Sequence, residues 1–87
     1  MHITVISPAK AVYDGDAAAV TAPAYDGLVG ILPRHAPFVT LLGDGPLTIR
    51  AADAVRTFRV RGGVLQVLDD EIRVVTEHAD DESTKGA

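Results

Sequence analysis

The apolar residues of this chain occur in short runs, and residues that favour turns separate each run from the next. The run ITVIS ends at Pro8, LVGIL ends at Pro33, and FVTLL is followed by the sequence GDG. Short apolar runs that recur about every 8–12 residues, with turn residues between them, are typical of a sandwich or barrel of β-strands. Nowhere do about 12 or more residues show the apolar spacing of an amphipathic helix. The sequence therefore predicts an all-β fold.

Several runs alternate between apolar and polar residues, as strands with one buried face do. In VRTFRV, Phe58 and Val60 fall on one face together with Arg56. In EIRVV, Ile72 and Val74 share a face, and the charged residues take the other. We expect sheets that bury one face and expose the other to solvent.

The run DAAAVTA, residues 16–22, is ambiguous because alanine favours helices. Gly15 and Pro23 flank this run and restrict it to a length at which an isolated helix is marginal in water. We therefore interpret the run as a strand.

The length and the charge distribution indicate one domain followed by an acidic end. The chain has 87 residues, which corresponds to a single domain. Residues 1–76 include eight acidic and seven basic residues, whereas residues 77–87 include four acidic residues and one lysine. We predict a sandwich domain over residues 1–79 and a short, acidic, flexible tail over residues 80–87. The nearly neutral body and the scarcity of aromatic residues do not favour nucleic-acid binding, which needs a clustered positive field or a stacking platform.

The residue types that usually carry catalysis or metal binding are few and widely spaced. His2, His35 and His78 lack the spacing of a metal site, and the chain has no cysteine. Ser7 and Ser83 lack the strand-turn-helix setting of a nucleophile elbow. The sequence GLVGIL is not followed by the Lys-Ser or Lys-Thr of a phosphate-binding loop. We predict no catalytic residue, no metal site and no cofactor, and we do not expect an enzyme.

The stretch GLVGILPRHAP, residues 27–37, contains a strongly constrained loop. Pro33 and Pro37 fix the backbone on both sides of residues 34–36. Side chains on such a loop lose little entropy when a partner binds them, so the loop suits a protein contact. A catalytic base would need a partner and a pocket, and the sequence shows neither. Two alternatives stay open, namely a stand-alone ligand- or peptide-binding β-sandwich and a small hydrolase that uses His35.

Three stretches, which together cover nearly the whole chain, resemble the N-terminal domain of the epsilon subunit of F-type ATP synthases, called delta in mitochondria. ITVISPAKAVYDG resembles the opening pair of strands in that family. PAYDGLVGILPRHAPFVTLLGDGPLTIR is similar to the family signature, and FRVRGGVLQVLDDEIRVVTEHA is similar to its closing strands. The combination of Gly-x-x-Gly-Ile-Leu-Pro-x-His-Ala-Pro with a later Gly-Gly strand is specific. The resemblance implies a β-sandwich of about ten short, mostly antiparallel strands.

In this family the domain lies at the foot of the central rotor, between the gamma subunit and the polar loops of the membrane c-ring. By this resemblance, four residues fall where the family meets gamma: Ser7, Arg34, His35 and Ala36. The turn that falls where the family meets the c-ring consists of Tyr25, Asp26, Gly27 and Leu28. Many family members carry an acidic residue at the position of Leu28, whereas the nearest acid here is Asp26. The c-ring contact is therefore expected to be shifted or more apolar.

The resemblance implies a non-catalytic rotor subunit that couples proton or sodium flow to ATP synthesis through contacts with gamma and the c-ring. It implies one copy per complex, no homo-oligomer, and a peripheral position on the cytoplasmic face of the bacterial plasma membrane, reached only through the c-ring. The family's C-terminal helical hairpin is not matched by this sequence. We therefore expect a chain that transmits rotation without the inhibitory brake that the hairpin provides.

Overall fold

The computed structural model describes residues 1–82, and this range contains no helix that could span a membrane. In chain order, its ten strands are β1 (His2–Ile6), β2 (Ala11–Asp16), β3 (Ala19–Ala24), β4 (Gly27–Ile31), β5 (Phe38–Leu41), β6 (Asp44–Arg50), β7 (Val55–Arg61), β8 (Val64–Leu68), β9 (Glu71–Val75) and β10 (His78–Asp81). They form two five-stranded sheets, with the order β2-β1-β9-β8-β5 in the first sheet and β10-β7-β6-β3-β4 in the second. Neighbouring strands are antiparallel except β1 and β9, which are parallel. The predicted β-sandwich of about ten short strands is confirmed.

The core lies between the two sheets and follows from the alternation of side chains along each strand. Its buried apolar residues in the strands are Ile3, Val5, Val20, Ala22, Ile31, Leu47, Ile49, Phe58, Val60, Leu65, Val67, Ile72 and Val74. Each large side chain among them contributes roughly 1.5–3 kcal/mol relative to exposure in water. The alternation predicted for β7 and β9 is confirmed, because Phe58, Val60, Ile72 and Val74 belong to this core while Arg59 and Arg73 are exposed.

The alanine-rich run forms strand β3 from Ala19 onward, as predicted. Ala17 and Ala18 connect this strand to β2, and their N–H groups donate to the carbonyls of Met1 at 2.8 Å and Arg50 at 2.7 Å. β3 pairs with β4 on one side and β6 on the other, so both edges of its backbone find partners. This pairing outweighs the helix preference of alanine, which is a weak bias.

Two strands include glycine residues that flank the apolar runs of the sequence. β2 continues through Gly15 to Asp16, where it still pairs with β1. β6 begins at Asp44, inside the GDG sequence, because Asp44 and Gly45 pair with β7. The connection between β5 and β6 is therefore residues 42–43 alone. In both places continued strand pairing gives hydrogen-bond partners to backbone N–H and C=O groups that a turn would leave without them. Residues that favour turns therefore form part of the strands.

The end of the described chain is also a strand. β10 includes Asp80 and Asp81, which the sequence analysis assigned to the acidic tail, and it pairs with β7. A guanidinium N–H of Arg56 donates to Asp81 Oδ2 at 2.6 Å and ties the two strands together. The domain therefore extends beyond the predicted boundary at residue 79, through Asp81. Residues 83–87 of the predicted tail lie outside the described residues.

A two-sheet sandwich has two sides at which the edge strands of its sheets face each other, and here these two sides differ. On the side of the edge strands β2 and β10, the Arg56 guanidinium lies 5.5 Å from the ring centre of Tyr13 and 5.3 Å from that of Phe58. The two rings meet edge to face at 5.9 Å, and Asp81 binds the same guanidinium. We call this the closed side. On the side of the edge strands β4 and β5, which we call the open side, a groove of about 730 Å³ separates the strands.

Candidate functional site

The loop between β4 and β5, residues 32–37, is ordered by contacts of its own, and we call it the His35 loop. The backbone N–H of His35 donates to the carbonyl of Leu32 at 3.1 Å. Its Nδ1 lies 2.7 Å from the carbonyl oxygen of Ala36, so Nδ1 carries the proton and donates. The imidazole also meets the Phe38 ring edge to face at 5.6 Å. These contacts fix the position of a half-buried histidine at the surface.

Asp70, in the turn between β8 and β9, anchors the His35 loop to the body of the domain. Its Oδ1 accepts a hydrogen bond from the backbone N–H of Arg34 at 2.9 Å, and its Oδ2 lies 3.7 Å from the Met1 ammonium. The Asp70 carbonyl also accepts from the N–H of His2 at 3.1 Å. Arg34 has φ 67°, a left-handed conformation that residues with a Cβ seldom adopt. The bond to Asp70 therefore stabilises a backbone conformation that the loop alone disfavours.

The turn between β3 and β4 is a second fixed feature of the surface. The two residues Tyr25 and Asp26 close this hairpin, and Gly27 follows with φ 136°. The backbone N–H of Tyr25 donates to the carbonyl of Leu41 at 3.0 Å and so attaches the turn to the end of β5. Tyr25 and Leu28 expose 69% and 68% of their surface. Exposed apolar side chains on an anchored turn can bind a partner at low entropic cost.

The predicted contact residues lie at two ends of the first sheet. Ser7 follows β1, and its hydroxyl donates to the carbonyl of Lys10 at 3.2 Å. Because β1 and β9 are parallel, Ser7 lies beyond the end of β9, whereas Asp70 and the His35 loop lie at its beginning. A five-residue strand, roughly 15 Å, separates the two ends. The structure therefore does not bring Ser7 next to residues 34–36. It places the 25–28 turn at the Ser7 end.

Four exposed apolar residues form a row across the outer face of the first sheet at the Ser7 end. The strand register places them side by side in the order Ile6, Val75, Val64 and Leu41. They expose between 37% and 60% of their surface, and we call them the apolar row. The row begins next to Ser7 and ends at the residue that binds the N–H of Tyr25. A contiguous exposed apolar patch of this kind is typical of a protein-binding surface.

Sequence reasoning missed both Asp70 and the apolar row. Asp70 and Arg34 are 36 residues apart, and no local pattern indicates that they meet. A signal for the row does exist in the sequence. Val74-Val75 and Leu41-Leu42 each place apolar residues on both faces of the chain, so one member of each pair has to be exposed.

The other exposed cluster lies at the Asp70 end and consists of His2 with two carboxylates. His2 Nε2 lies 2.6 Å from Asp14 Oδ1, and His2 Nδ1 lies 3.7 Å from Glu71 Oε2. The hydrogen bond that His2 donates to Asp14 and the negative charges of both carboxylates raise the pKa of His2 above its ordinary value of 6.5. Over residues 1–82, no group of three His, Cys, Asp or Glu side chains is arranged to hold a metal ion. The cluster links three strands of the first sheet.

The profile of the family described as "ATP synthase, Delta/Epsilon chain, beta-sandwich domain" matches residues 1–82. The chain belongs to this family. The resemblance that three stretches of the sequence indicated is therefore confirmed. The assignment of individual residues of this delta/epsilon domain to gamma or to the c-ring stays a prediction.

Curated relatives in the delta/epsilon family are named "ATP synthase epsilon chain". The one from Leptospira borgpetersenii serovar Hardjo-bovis is 38% identical over 78 residues, which cover 90% of this chain and 61% of that one. The one from Caulobacter vibrioides is 30% identical over 79 residues, which cover 91% of this chain and 92% of that one. The chain thus spans about three fifths of the length of the Leptospira relative and nearly the whole of the Caulobacter one.

Two solved structures share the delta/epsilon sandwich fold. One chain of the central stalk and c-ring of the Tetrahymena thermophila mitochondrial ATP synthase aligns with a TM-score of 0.79 over 92% of this chain and 65% of that chain. A chain from the Euglena gracilis mitochondrial ATP synthase aligns with a TM-score of 0.84 over 91% of this chain and 51% of that chain. Sequence identity is 22% in both cases, so the likeness concerns the fold.

Proposed function

We propose that this chain is a non-catalytic subunit in the central stalk of an F-type ATP synthase, where it contacts gamma and the c-ring and couples ion flow to ATP synthesis. The observation that carries the proposal is the match of residues 1–82 to the sandwich domain of the delta/epsilon family. One copy is present per complex. It reaches the membrane only through the c-ring, on the cytoplasmic face of a bacterial plasma membrane.

The outer face of the first sheet is the surface that suits gamma. A partner that contacts both Ser7 and the His35 loop has to lie along this face, because the two lie at its opposite ends. The apolar row is part of the same face, and its burial would favour association by about 25 cal/mol per Å² of apolar surface. We therefore assign Ser7 and the apolar row to one end of the gamma contact, and Arg34, His35 and Ala36 to the other.

The 25–28 turn is the surface that suits the c-ring. Its side chains offer the c-ring loops one phenol, one carboxylate and one exposed leucine, which supports a contact more apolar than one built around an acidic residue at position 28. The hydrogen bond from Tyr25 to Leu41 makes the gamma and c-ring surfaces adjoin at the end of the apolar row. A rigid domain that holds both partners next to each other can pass torque from one to the other.

Leu28→Arg tests the c-ring contact. Leu28 is exposed, so the substitution leaves the fold intact, but it places a charge on the apolar part of the turn. We expect the tagged variant to copurify with gamma as the unchanged chain does and to lose c-ring attachment by about tenfold, or 1.4 kcal/mol. Equal loss of both partners in a folded variant would contradict separate contacts.

His35→Glu tests the gamma contact at the other end. We expect less of this variant to copurify with gamma. The fraction that does bind gamma should attach to the c-ring as tightly as the unchanged chain does. Thr21→Glu serves as the control, because it adds the same charge at an exposed site on the second sheet. If the unchanged chain binds neither gamma nor the c-ring, the proposed function is wrong.

A further inference from the structure

The four edge strands of the sandwich differ in charge. On the closed side, β2 and β10 carry four aspartates and one histidine, namely Asp14, Asp16, Asp80, Asp81 and His78. On the open side, neither GLVGI of β4 nor FVTL of β5 contains a charged residue. Charges and prolines are devices that stop an edge strand from pairing with another chain, and these two strands have neither.

The free edge of β4 offers backbone groups for such pairing. Leu28 is opposite Pro23 in the register with β3, and proline has no N–H to donate. Because hydrogen-bonded and non-hydrogen-bonded pairs alternate along an antiparallel ladder, Leu28 and Gly30 turn their N–H and C=O groups away from β3. Within residues 1–82, no turn or loop contributes a backbone hydrogen bond to either residue. Two donors and two acceptors therefore line this edge.

Gly30 is a glycine that the chain's own fold does not require. Its φ is not positive, and a Cβ added there would meet no heavy atom within 4 Å. Glycine inside a strand is destabilising by roughly 0.5–1 kcal/mol relative to alanine. A glycine at an unrestricted strand position is typical of a site that another backbone or a large side chain approaches closely.

The groove of the open side adds an apolar surface beneath the same edge. It is lined by residues of β4, β5 and the 25–28 turn, and Asp26 is the one charged residue among those lining it. Leu28, Val39 and Leu41 each expose at least 60% of their surface there. A strand laid along β4 would cover part of this apolar surface while its backbone pairs along the edge.

We propose that an extended, uncharged segment of another ATP synthase subunit adds as a strand to the free edge of β4. Its backbone pairs with Leu28 and Gly30, a large side chain of it lies across Gly30, and alternate apolar side chains enter the groove. Strand addition of this kind takes affinity from main-chain hydrogen bonds and specificity from the alternating side chains. The inference rests on the proposed function, which supplies the complex that contains the segment.

Amide hydrogen exchange on the isolated chain and on the assembled complex tests the pairing. We expect the Leu28 and Gly30 amides to exchange at least about tenfold more slowly in the complex, with the β2 amides on the closed side unchanged. If the chain is bound in the complex and the two amides exchange as in the isolated chain, strand addition is overturned while the proposed function stands. Protection that rises with concentration in the isolated chain would assign the edge to a second copy and would also overturn it.

Gly30→Val tests the close approach at Gly30. The open space around Gly30 and the strand preference of valine predict that the isolated variant melts at the same or a higher temperature. We expect its affinity for the complex to fall by about tenfold. The control, Ala11→Val, makes a similar change at an exposed site of edge strand β2 and should leave assembly unchanged. A Gly30→Val chain that assembles as well as the unchanged chain overturns the inference.

Discussion

The closed and open sides of the sandwich differ in how the rim of the core is covered. Each side ends in two edge strands, with the core between them. On the closed side, Tyr13, Phe58 and the Arg56–Asp81 pair cover the rim of the core with the chain's own side chains. On the open side, apolar side chains line a groove that the described chain leaves uncovered. The comparison indicates that the chain's own side chains cover the core on one side, whereas the other side presents an uncovered apolar surface on which we propose that a partner binds.

The largest expected effect is on the closed side, at Phe58. This side chain is 1% exposed and lies beneath Tyr13 and Arg56. Phe58→Ala leaves a cavity at the rim and is expected to cost about 3–5 kcal/mol, a large part of the stability of a small domain. Urea unfolding followed by circular dichroism measures the loss. Phe58→Leu is the control and should cost less than about 1.5 kcal/mol. A Phe58→Ala midpoint close to that of the unchanged chain would mean that the rim cluster does not close the core.

A smaller loss of stability is expected when Arg56, which covers the same rim from outside, is substituted. Arg56→Met keeps a long apolar side chain but removes the guanidinium that contacts both rings and Asp81. A partly exposed cation–π contact contributes about 0.5–1 kcal/mol, and an exposed ion pair adds about 0.2–1 kcal/mol. We expect a loss of about 1 kcal/mol in urea unfolding. Asp81→Asn, which removes the ion pair alone, should lose less. Equal losses in the two variants would assign the whole effect to the ion pair.

Substitution of an exposed residue on the open side should hardly change the free energy of unfolding. Leu28→Ser removes an exposed leucine, so we expect a change within about 0.5 kcal/mol in urea unfolding, together with weaker attachment to the c-ring. Ile31→Ser is the contrast, because Ile31 lies in the same strand and is completely buried. That variant should lose several kcal/mol, about 2–5 by analogy with other large-to-small core changes. If Leu28→Ser destabilised the isolated chain as strongly, the open side would be part of the folding core.

Strand positions could be predicted from the sequence because alternation and turn residues are local signals. Ile72 lies between Glu71 and Arg73, and Phe58 lies between Thr57 and Arg59, so the burial of both apolar residues follows from the alternation alone. The positions of Asp44 and Gly45 could not be predicted, because local turn preference competes there with a ladder to β7 that local sequence does not specify. Pairing with β7, which is distant in the sequence, places these two residues in a strand.

The surfaces that we propose as contacts were predictable only in part, for a similar reason. The two prolines flanking the His35 loop are a local signal, so the loop could be identified. The apolar row could not, because Ile6 and Val75 become neighbours only through the parallel pairing of β1 with β9. The separation of Ser7 from the His35 loop depends on that same pairing. The resemblance to a family predicts individual contact residues. Whether those residues form one surface or two depends on how the strands pair.

The smallest expected effect concerns the attachment of edge strand β2 on the closed side. His2 of β1 bonds Asp14 of β2 and faces Glu71 of β9, and its other charged neighbours are Asp16, its partner in the ladder, and Asp70 in the adjoining turn. The Asp14 hydrogen bond and the two carboxylate charges raise the pKa of His2 above 6.5 in the folded chain. Protonated His2 therefore stabilises the fold.

This contribution is fully present below pH 6.5, the ordinary pKa of histidine, and is lost as the pH rises through the raised pKa of the folded chain. We expect the urea midpoint of the unchanged chain to fall over this interval by more than that of His2→Gln, which cannot titrate there. Asp14→Asn removes the main cause of the shift, so a nuclear magnetic resonance titration should show the His2 ring with a lower pKa in that variant. If the unchanged chain and His2→Gln had the same pH dependence, the three-strand link would contribute nothing to the closed side. The ladder to β1 and the Tyr13–Arg56–Phe58 cluster would then hold β2 in place without it.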